Sequence, residues 1–152
     1  MINSRNLEDL DPFARTVCNQ HLANCHAKGI ELIVTSTWRD FESQDALYTI
    51  GRSLDSANRR PVTQAKGGQS WHNFKCAWDV VPVLHGKPVW DERDPLWKEV
   101  IMAGKDAGAE AGADWPLFKD MCHFEVRPTV EGLRINLDEA RARFVQNGSI
   151  FV

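Results

Sequence analysis

Two segments of the chain contain residues of the kinds that bind metal ions. His72 and Asp79 lie seven positions apart, and His123 follows 44 positions after Asp79. Zinc prefers about four ligands drawn from His, Asp, Glu and Cys, and a catalytic site leaves one position open. Two imidazoles and one carboxylate leave the metal with a net positive charge, which lowers the pKa of a bound water and polarises a carbonyl. On spacing alone the alternative stays open, because many histidines serve only in packing.

Other side chains near these segments could take part in the hydrolysis of a carbonyl substrate. Asp120, three residues before His123, could serve as a general base, and Glu125 is a rival for that role. Arg39 could stabilise an oxyanion as a fixed cation. From the residues alone, Asp120 could equally be a surface acid and Arg39 a salt-bridged arginine at a helix end. Ser70 has no partnered His and acid, so we interpret it as a substrate-binding hydroxyl.

The elements that position these residues follow from capping residues and hydrophobic patterns. Each predicted helix begins at a capping Asp or Asn, and most end near glycine. The predicted helices are Asp11-Pro12 to Gly29, Asp40 to Gly51, Asp94-Pro95 to the glycine-rich stretch at 104–112, and Asn136 or Asp138 to Asn147-Gly148. The predicted strands are a buried one at 30–35, one at 77–83 and a last one at 123–126, with a long loop over 52–70.

Helices and strands are interspersed without strict alternation, which predicts a single α+β domain over residues 1–152. Eighteen basic and 21 acidic residues give a formal charge of −3. No run of Lys or Arg is dense enough to bind nucleic acid. The acidic N-terminus lacks the apolar run of a secretory signal, and no stretch is long enough to cross a bilayer. We therefore expect no signal peptide, no membrane insertion and reduced cysteines.

The pattern Ser70-x-His72-x-x-x-x-Ala77-x-Asp79, followed by Asp120-x-x-His123, resembles the zinc signature of the LAS peptidases. These include D-Ala-D-Ala carboxypeptidases and dipeptidases and phage L-alanyl-D-glutamate endopeptidases. Further segments resemble the family in the same order: Ser36–Arg39, Gln44, Leu47-Tyr48, Gly51-Arg52, Val62-Thr63, Gly67-Gly68 and Gly112–Phe118. The resemblance covers about residues 7–127 and leaves 128–152 as a C-terminal helical extension.

The resemblance implies a small α+β fold with a central antiparallel sheet, flanking helices and Zn²⁺ bound at the sheet. The implied metal ligands are His72, Asp79 and His123, the implied general base is Asp120, and Arg39 would face the oxyanion. We assign Ser70, Gln44 and Trp115 to substrate binding, with packing in the core as the open alternative for Trp115. The chain departs from the family at Lys75, where glycine is usual, and a positive φ there would strain the loop.

The single His123 after Asp120 resembles the endopeptidase branch, whereas the carboxypeptidases usually show Glu before His-x-His. The resemblance therefore implies an endolysin that hydrolyses the L-alanyl-D-glutamate bond of peptidoglycan stem peptides. We expect a monomer that stays in the host cytoplasm until it is released to the cell wall. A D-alanyl-D-alanine carboxypeptidase or dipeptidase and a non-catalytic, zinc-stabilised binding domain remain the alternatives.

Overall fold

Helix boundaries follow the capping residues of the sequence. In the computed structural model, which describes residues 1–152, the Phe13 N–H donates to the Asp11 side chain at 3.0 Å. Asp40 and Asn136 cap later helices in the same way. The α-helices are α1 (Pro12–Ala27), α2 (Phe41–Thr49), α3 (Leu96–Asp106) and α4 (Leu137–Asn147). The four predicted helices are confirmed, and Asn136 rather than Asp138 caps the last one.

The strands form one five-stranded antiparallel sheet and a separate hairpin. The strands are β1 (Glu31–Ser36), β2 (Ala77–Leu84), β3 (Lys87–Pro88), β4 (Glu110–Ala111), β5 (His123–Glu125), β6 (Thr129–Val130) and β7 (Leu133–Arg134). The sheet has the order β1-β2-β5-β4, with β3 paired to β2, and β6 pairs with β7. The predicted α+β class with a central antiparallel sheet is confirmed.

Two strand predictions were wrong in detail. The apolar run at 30–35 does form a strand, but β1 is an edge strand in which Ile33 is 44% exposed, so it is not a buried strand. The strand at His123 is not the last one, because the β6–β7 hairpin follows it. Both β4 and the hairpin strands contain two residues each, which is too short for a hydrophobic period to appear in the sequence.

The two faces of the sheet have different roles. Trp78 and Phe124 are fully buried in the hydrophobic core, on the face that packs against α1 and α3. Asp79 pairs with His123 in register across β2 and β5, and both point to the opposite face because side chains alternate along a strand. The sheet thus separates a packed apolar layer from a layer of titratable side chains.

His21 of α1 belongs to the apolar layer. The Trp78 Nε1–H donates to its Nδ1 at 3.2 Å, and its Nε2 lies 2.9 Å from the Val100 carbonyl oxygen. Burial lowers the pKa of His21 to about 4, so the ring is neutral at pH 7 with its proton on Nε2. His21 therefore serves in packing.

The C-terminal residues pack into the same core as the rest of the chain. Ile135, Ala140 and Ile150 join the buried cluster, and the Phe144 ring lies 5.7 Å from the Phe74 ring. The predicted helical extension is therefore a hairpin followed by a helix that supports the Trp71–Phe74 turn. None of the helices has the length and apolar character required to cross a bilayer.

Candidate metal and catalytic site

A short 3₁₀ turn, Trp71–Phe74, positions the first candidate ligand, His72. The buried Asn73 holds this turn in place. Its Oδ1 accepts hydrogen bonds from the Gly68 and Ser70 N–H groups at 2.9 and 3.2 Å, and its Nδ2 donates to the Arg39 carbonyl at 2.9 Å. One side chain thus ties the loop to the segment that contains Arg39.

Lys75 ends this turn in the left-handed conformation, with φ 59° and ψ 26°. A residue other than glycine in that region costs about 1 kcal/mol or more. The surroundings compensate in part, because the Asp11 N–H donates to the Lys75 carbonyl at 2.9 Å and the ammonium lies 4.2 Å from the Trp38 ring centre. The expected backbone strain is therefore present at Lys75, yet Asp79 still lies in the ligand cluster.

His72, Asp79 and His123 converge as the spacing and the resemblance indicated. Asp79 Oδ1 lies 3.1 Å from His72 Nε2 and 3.3 Å from His123 Nδ1. One ligand atom from each residue lies within 4.8 Å of the other two. Both histidines are buried and Asp79 is half-buried. This cluster, the only group of this kind in the chain, has the donor types and the mutual distances that suit a zinc ion.

The outer nitrogen of each imidazole is already engaged. His72 Nδ1 lies 2.6 Å from the Thr37 carbonyl oxygen, and His123 Nε2 lies 2.8 Å from Glu125 Oε2. Both partners can only accept, so these nitrogens carry the protons. In neutral rings the inner nitrogens then present lone pairs toward Asp79, which is the arrangement that a bound cation stabilises.

The electrostatics of the cluster also favour a cation. Burial raises the pKa of Asp79, but the charges and hydrogen bonds of His72 and His123 leave it well below its usual value. Burial lowers the pKa of His123, but Asp79 and Glu125 leave it above its usual value. The Asp79 carboxylate therefore stays ionised beside the two histidines, and a metal ion would compete with protons for the same atoms.

Asp120 lies at the mouth of this cluster, half-buried on the wall of the same cavity. A close backbone approach holds it there. A Cβ at Gly112 would lie 2.5 Å from the Asp120 carbonyl oxygen and 3.1 Å from His123 Cβ, so only glycine fits. The Asp120 N–H donates to the Gly112 carbonyl at 3.1 Å. Asp120 is therefore not the freely solvated surface acid of the alternative interpretation.

Arg39 lines the same cavity and has no salt bridge. Its guanidinium donates to Gln44 Oε1 at 2.9 Å, Ser36 Oγ at 3.0 Å and Asn3 Oδ1 at 3.3 Å. Burial lowers the pKa of Arg39, and the charges of Asp79 and Asp120 partly offset this effect. The alternative, a salt-bridged arginine at a helix end, is wrong. Neutral side chains hold the Arg39 guanidinium, and its charge faces the cavity.

The assignment of Gln44 to substrate binding is also wrong. Gln44 is 0% exposed, and its two amide ends bond to Arg39 and, at 2.8 Å, to the Ala65 carbonyl. It lies behind Arg39 and does not reach the cavity wall. Gln44 lies one turn into α2, after the Asp40 cap, and the face of the helix that contains it is buried within the protein.

The cavity has a volume of about 720 Å³, and residues 61–65 and 118–120 form part of its wall. Ser70 and Trp115 line it, and the Trp115 ring lies 4.9 Å from the His123 ring. Cys122 also lines it, although alternation from His123 along a continuous strand would turn Cys122 toward the core. The strand β5 begins only at His123, so the alternation does not extend to Cys122. Burial raises the pKa of its thiol, which donates to Asp120 Oδ1 at 3.1 Å.

Sequence reasoning missed the residues that support the cluster from behind, namely the Thr37 carbonyl, Asn73 and the histidine-binding role of Glu125. Glu125 shares the His123 face of β5, but it contacts the nitrogen that points away from Asp79. The alternation of His123, Phe124 and Glu125 could have indicated this contact. The Thr37 carbonyl leaves no signal in the sequence, since any residue supplies one.

Comparison with known proteins gives matches over most of the chain. Two family models, both described as D-alanyl-D-alanine carboxypeptidase, match residues 8–94 and 63–126. The peptidoglycan L-alanyl-D-glutamate endopeptidase CwlK of Bacillus subtilis (strain 168) is 36% identical over 128 residues, which cover 79% of this chain and 75% of CwlK.

Two solved structures share the fold. The L-Ala D-Glu endopeptidase ChiX of Serratia marcescens aligns with a TM-score of 0.58 at 21% identity, covering 82% of this chain and 88% of ChiX. A mutant of the vancomycin-resistance D,D-pentapeptidase VanY, in complex with Zn(II), aligns with a TM-score of 0.58 at 13% identity, covering 92% of this chain and 80% of that one.

Proposed function

Because the chain belongs to the D-alanyl-D-alanine carboxypeptidase family of LAS-type zinc peptidases, we propose that it hydrolyses the L-alanyl-D-glutamate bond of peptidoglycan stem peptides. Membership makes the chain a metallopeptidase. The choice of bond rests on one observation, the 36% identity to an endopeptidase whose name specifies that bond. The single His123 after Asp120, which resembles the endopeptidase branch, supports the same choice.

Each side chain of the cavity has a proposed task. His72, Asp79 and His123 hold Zn²⁺, which when bound supplies a Lewis acid for the attacking water and the scissile carbonyl. Asp120 takes a proton from the water and passes it to the departing nitrogen. Arg39 stabilises the negative charge that develops on the carbonyl oxygen. Ser70 and Trp115 contact the stem peptide along the cavity wall. All of these residues come from one chain, so the site needs no residue from a second copy, and we propose that the enzyme is monomeric.

Digestion of purified peptidoglycan tests the activity and the bond together. We expect new amino termini that belong to glutamate. The masses of the fragments should show that the chain is cut directly after the first alanine of the stem. Dialysis against a chelator should abolish the release, and one equivalent of zinc should restore it. The chain should elute in gel filtration at the mass of one copy, 17.2 kDa.

The other outcomes separate the alternatives. Release of free D-alanine without new glutamate termini would identify a carboxypeptidase, as the descriptions of the two family models suggest. A protein that takes up one zinc but releases nothing would be a binding domain. A chain that takes up no zinc would contradict the proposed metal site itself.

We further propose that the chain acts as an endolysin, held in the host cytoplasm until it reaches the wall. The Asp120-x-x-His123 pattern, which resembles phage endopeptidases, supports this role. Bacteria that express the chain in their cytoplasm should stay intact until the membrane is permeabilised, and should then lyse. Cells that express the Asp120→Asn variant at the same level provide the control. Lysis before permeabilisation would contradict the role but not the peptidase activity.

A further inference from the structure

Glu125 is a buried carboxylate on the cluster side of the sheet, only 1% exposed. It stands two residues after His123 on β5, so both side chains point to the same face. One of its oxygens accepts from His123 Nε2 at 2.8 Å, and the other lies 3.3 Å from Arg127 Nε. Glu125 does not line the cavity that contains the cluster.

Arg127, the cation beside Glu125, is itself held on its other side. Its guanidinium forms a two-point contact with the Glu110 carboxylate at 3.0 and 2.8 Å, and it lies 4.9 Å from the Trp71 ring centre. Arg134 of β7 lies 3.1 Å from the same carboxylate. A row of alternating charges therefore runs from the β6–β7 hairpin through β4 to the His123 ring.

Burying a carboxylate is unfavourable unless charged or hydrogen-bonded partners compensate it. Arg127 is one compensating partner of Glu125, and the His123 N–H is the other. The second contact has a consequence for the ring. A proton held on Nε2 leaves Nδ1 with its lone pair, and a carboxylate on the far nitrogen makes that lone pair a stronger electron donor. The contact with Glu125 also prevents the His123 ring from turning Nε2 toward Asp79.

We propose that Glu125 is a positioning residue that fixes the orientation and the proton of His123 for metal binding, with Arg127 holding Glu125 in place. This inference rests on the proposed zinc site. Glu125 acts through His123 and touches neither substrate nor metal. The role differs from that of a general base, the rival interpretation that the sequence left open for Glu125.

Metal affinity, measured without any substrate, tests this inference. The Glu125→Gln variant keeps the shape but loses the negative charge. We expect its zinc dissociation constant, measured against a chromophoric chelator, to rise by about 10–100-fold. The visible spectrum of the Co²⁺-loaded variant should also shift, because the geometry of one ligand changes. A merely structural ion pair would change the melting temperature without moving the spectrum.

Two more variants complete the design. Glu139→Gln is the matched control, since Glu139 also pairs with an arginine, Arg143 at 2.7 Å, but in helix α4. It should retain the parent affinity and spectrum. Arg127→Lys keeps the charge and loses the two-point contact, so it should weaken zinc binding less than Glu125→Gln, and it decides the matter if Glu125→Gln does not fold.

A folded Glu125→Gln protein with the parent's zinc affinity and Co²⁺ spectrum would overturn the inference and leave the proposed function intact. If Glu125→Gln is not folded, an Arg127→Lys protein with the parent's zinc affinity would overturn it. If the parent itself binds no zinc, both the inference and the proposed function fail.

Discussion

Replacing Asp120 by asparagine is expected to leave a folded, zinc-loaded protein whose kcat on a stem-peptide substrate falls by about 10²–10⁴-fold. Asparagine has the same shape but cannot take a proton from water. The contacts that hold this residue involve its backbone, which bonds to Gly112, and the Cys122 thiol. An amide oxygen can still accept from that thiol, so the variant should lose the chemistry without losing the position.

The measurement is kcat together with zinc content on the same preparation. Asp114→Asn is the matched control, because Asp114 lies in the same segment but is exposed and pairs with Lys105 at 2.6 Å. It should keep the parent kcat. Normal turnover in Asp120→Asn would show that Asp120 is not the base. An inactive Glu125→Gln at saturating zinc would then return that role to Glu125.

Replacing Arg39 by lysine should also lower kcat strongly, with little change in zinc content or melting temperature. Losing one oxyanion-stabilising donor typically costs about 2.7–4 kcal/mol of transition-state stabilisation. Three neutral side chains hold the Arg39 guanidinium at fixed angles. A lysine ammonium has neither the planar fork nor the reach to use the same three acceptors, so its charge would no longer be aimed at the reacting carbonyl.

Arg143→Lys tests the ordinary alternative in the same experiment. Arg143 is a helix arginine that pairs with Glu139 four residues away. Such pairs are worth about 0–1 kcal/mol, so its replacement should be nearly silent. Parent-like turnover in Arg39→Lys would assign Arg39 to structure alone. A folded, zinc-loaded but slow Arg39→Lys enzyme supports its place at the carbonyl.

The sequence predicted the parts of the fold that depend on local chemistry. Asp11, Asp40 and Asn136 cap helices because their side chains bond to N–H groups two or three residues ahead. Such contacts depend only on neighbouring positions. Strand β1 also appeared in the sequence, but its exposure depends on which strand stands beside it, and that is a long-range property.

The candidate ligands were predicted from the resemblance to a family signature, since spacing alone left a packing role open, whereas the residues that support them were not predicted. His72 and His123 do converge on Asp79. Gln44 shows the limit, because its position in the chain does not reveal that Arg39 stands between it and the cavity. Glu125 shows a second limit. An acid near a candidate ligand can be a general base or a hydrogen-bond partner of the imidazole, and only the contact with His123 Nε2 distinguishes the two roles.

The direct pairing of Asp79 with His123 across β2 and β5 has a consequence for how the protein is made. The two residues are 44 positions apart, so their contact must wait for a slow, long-range event in folding. A register slip of one residue would turn Phe124 toward the polar side and His123 into the apolar layer. A newly synthesised chain therefore acquires its full metal affinity only when this strand pair has closed in the correct register. The rate of metal uptake during refolding would therefore report when these two strands pair.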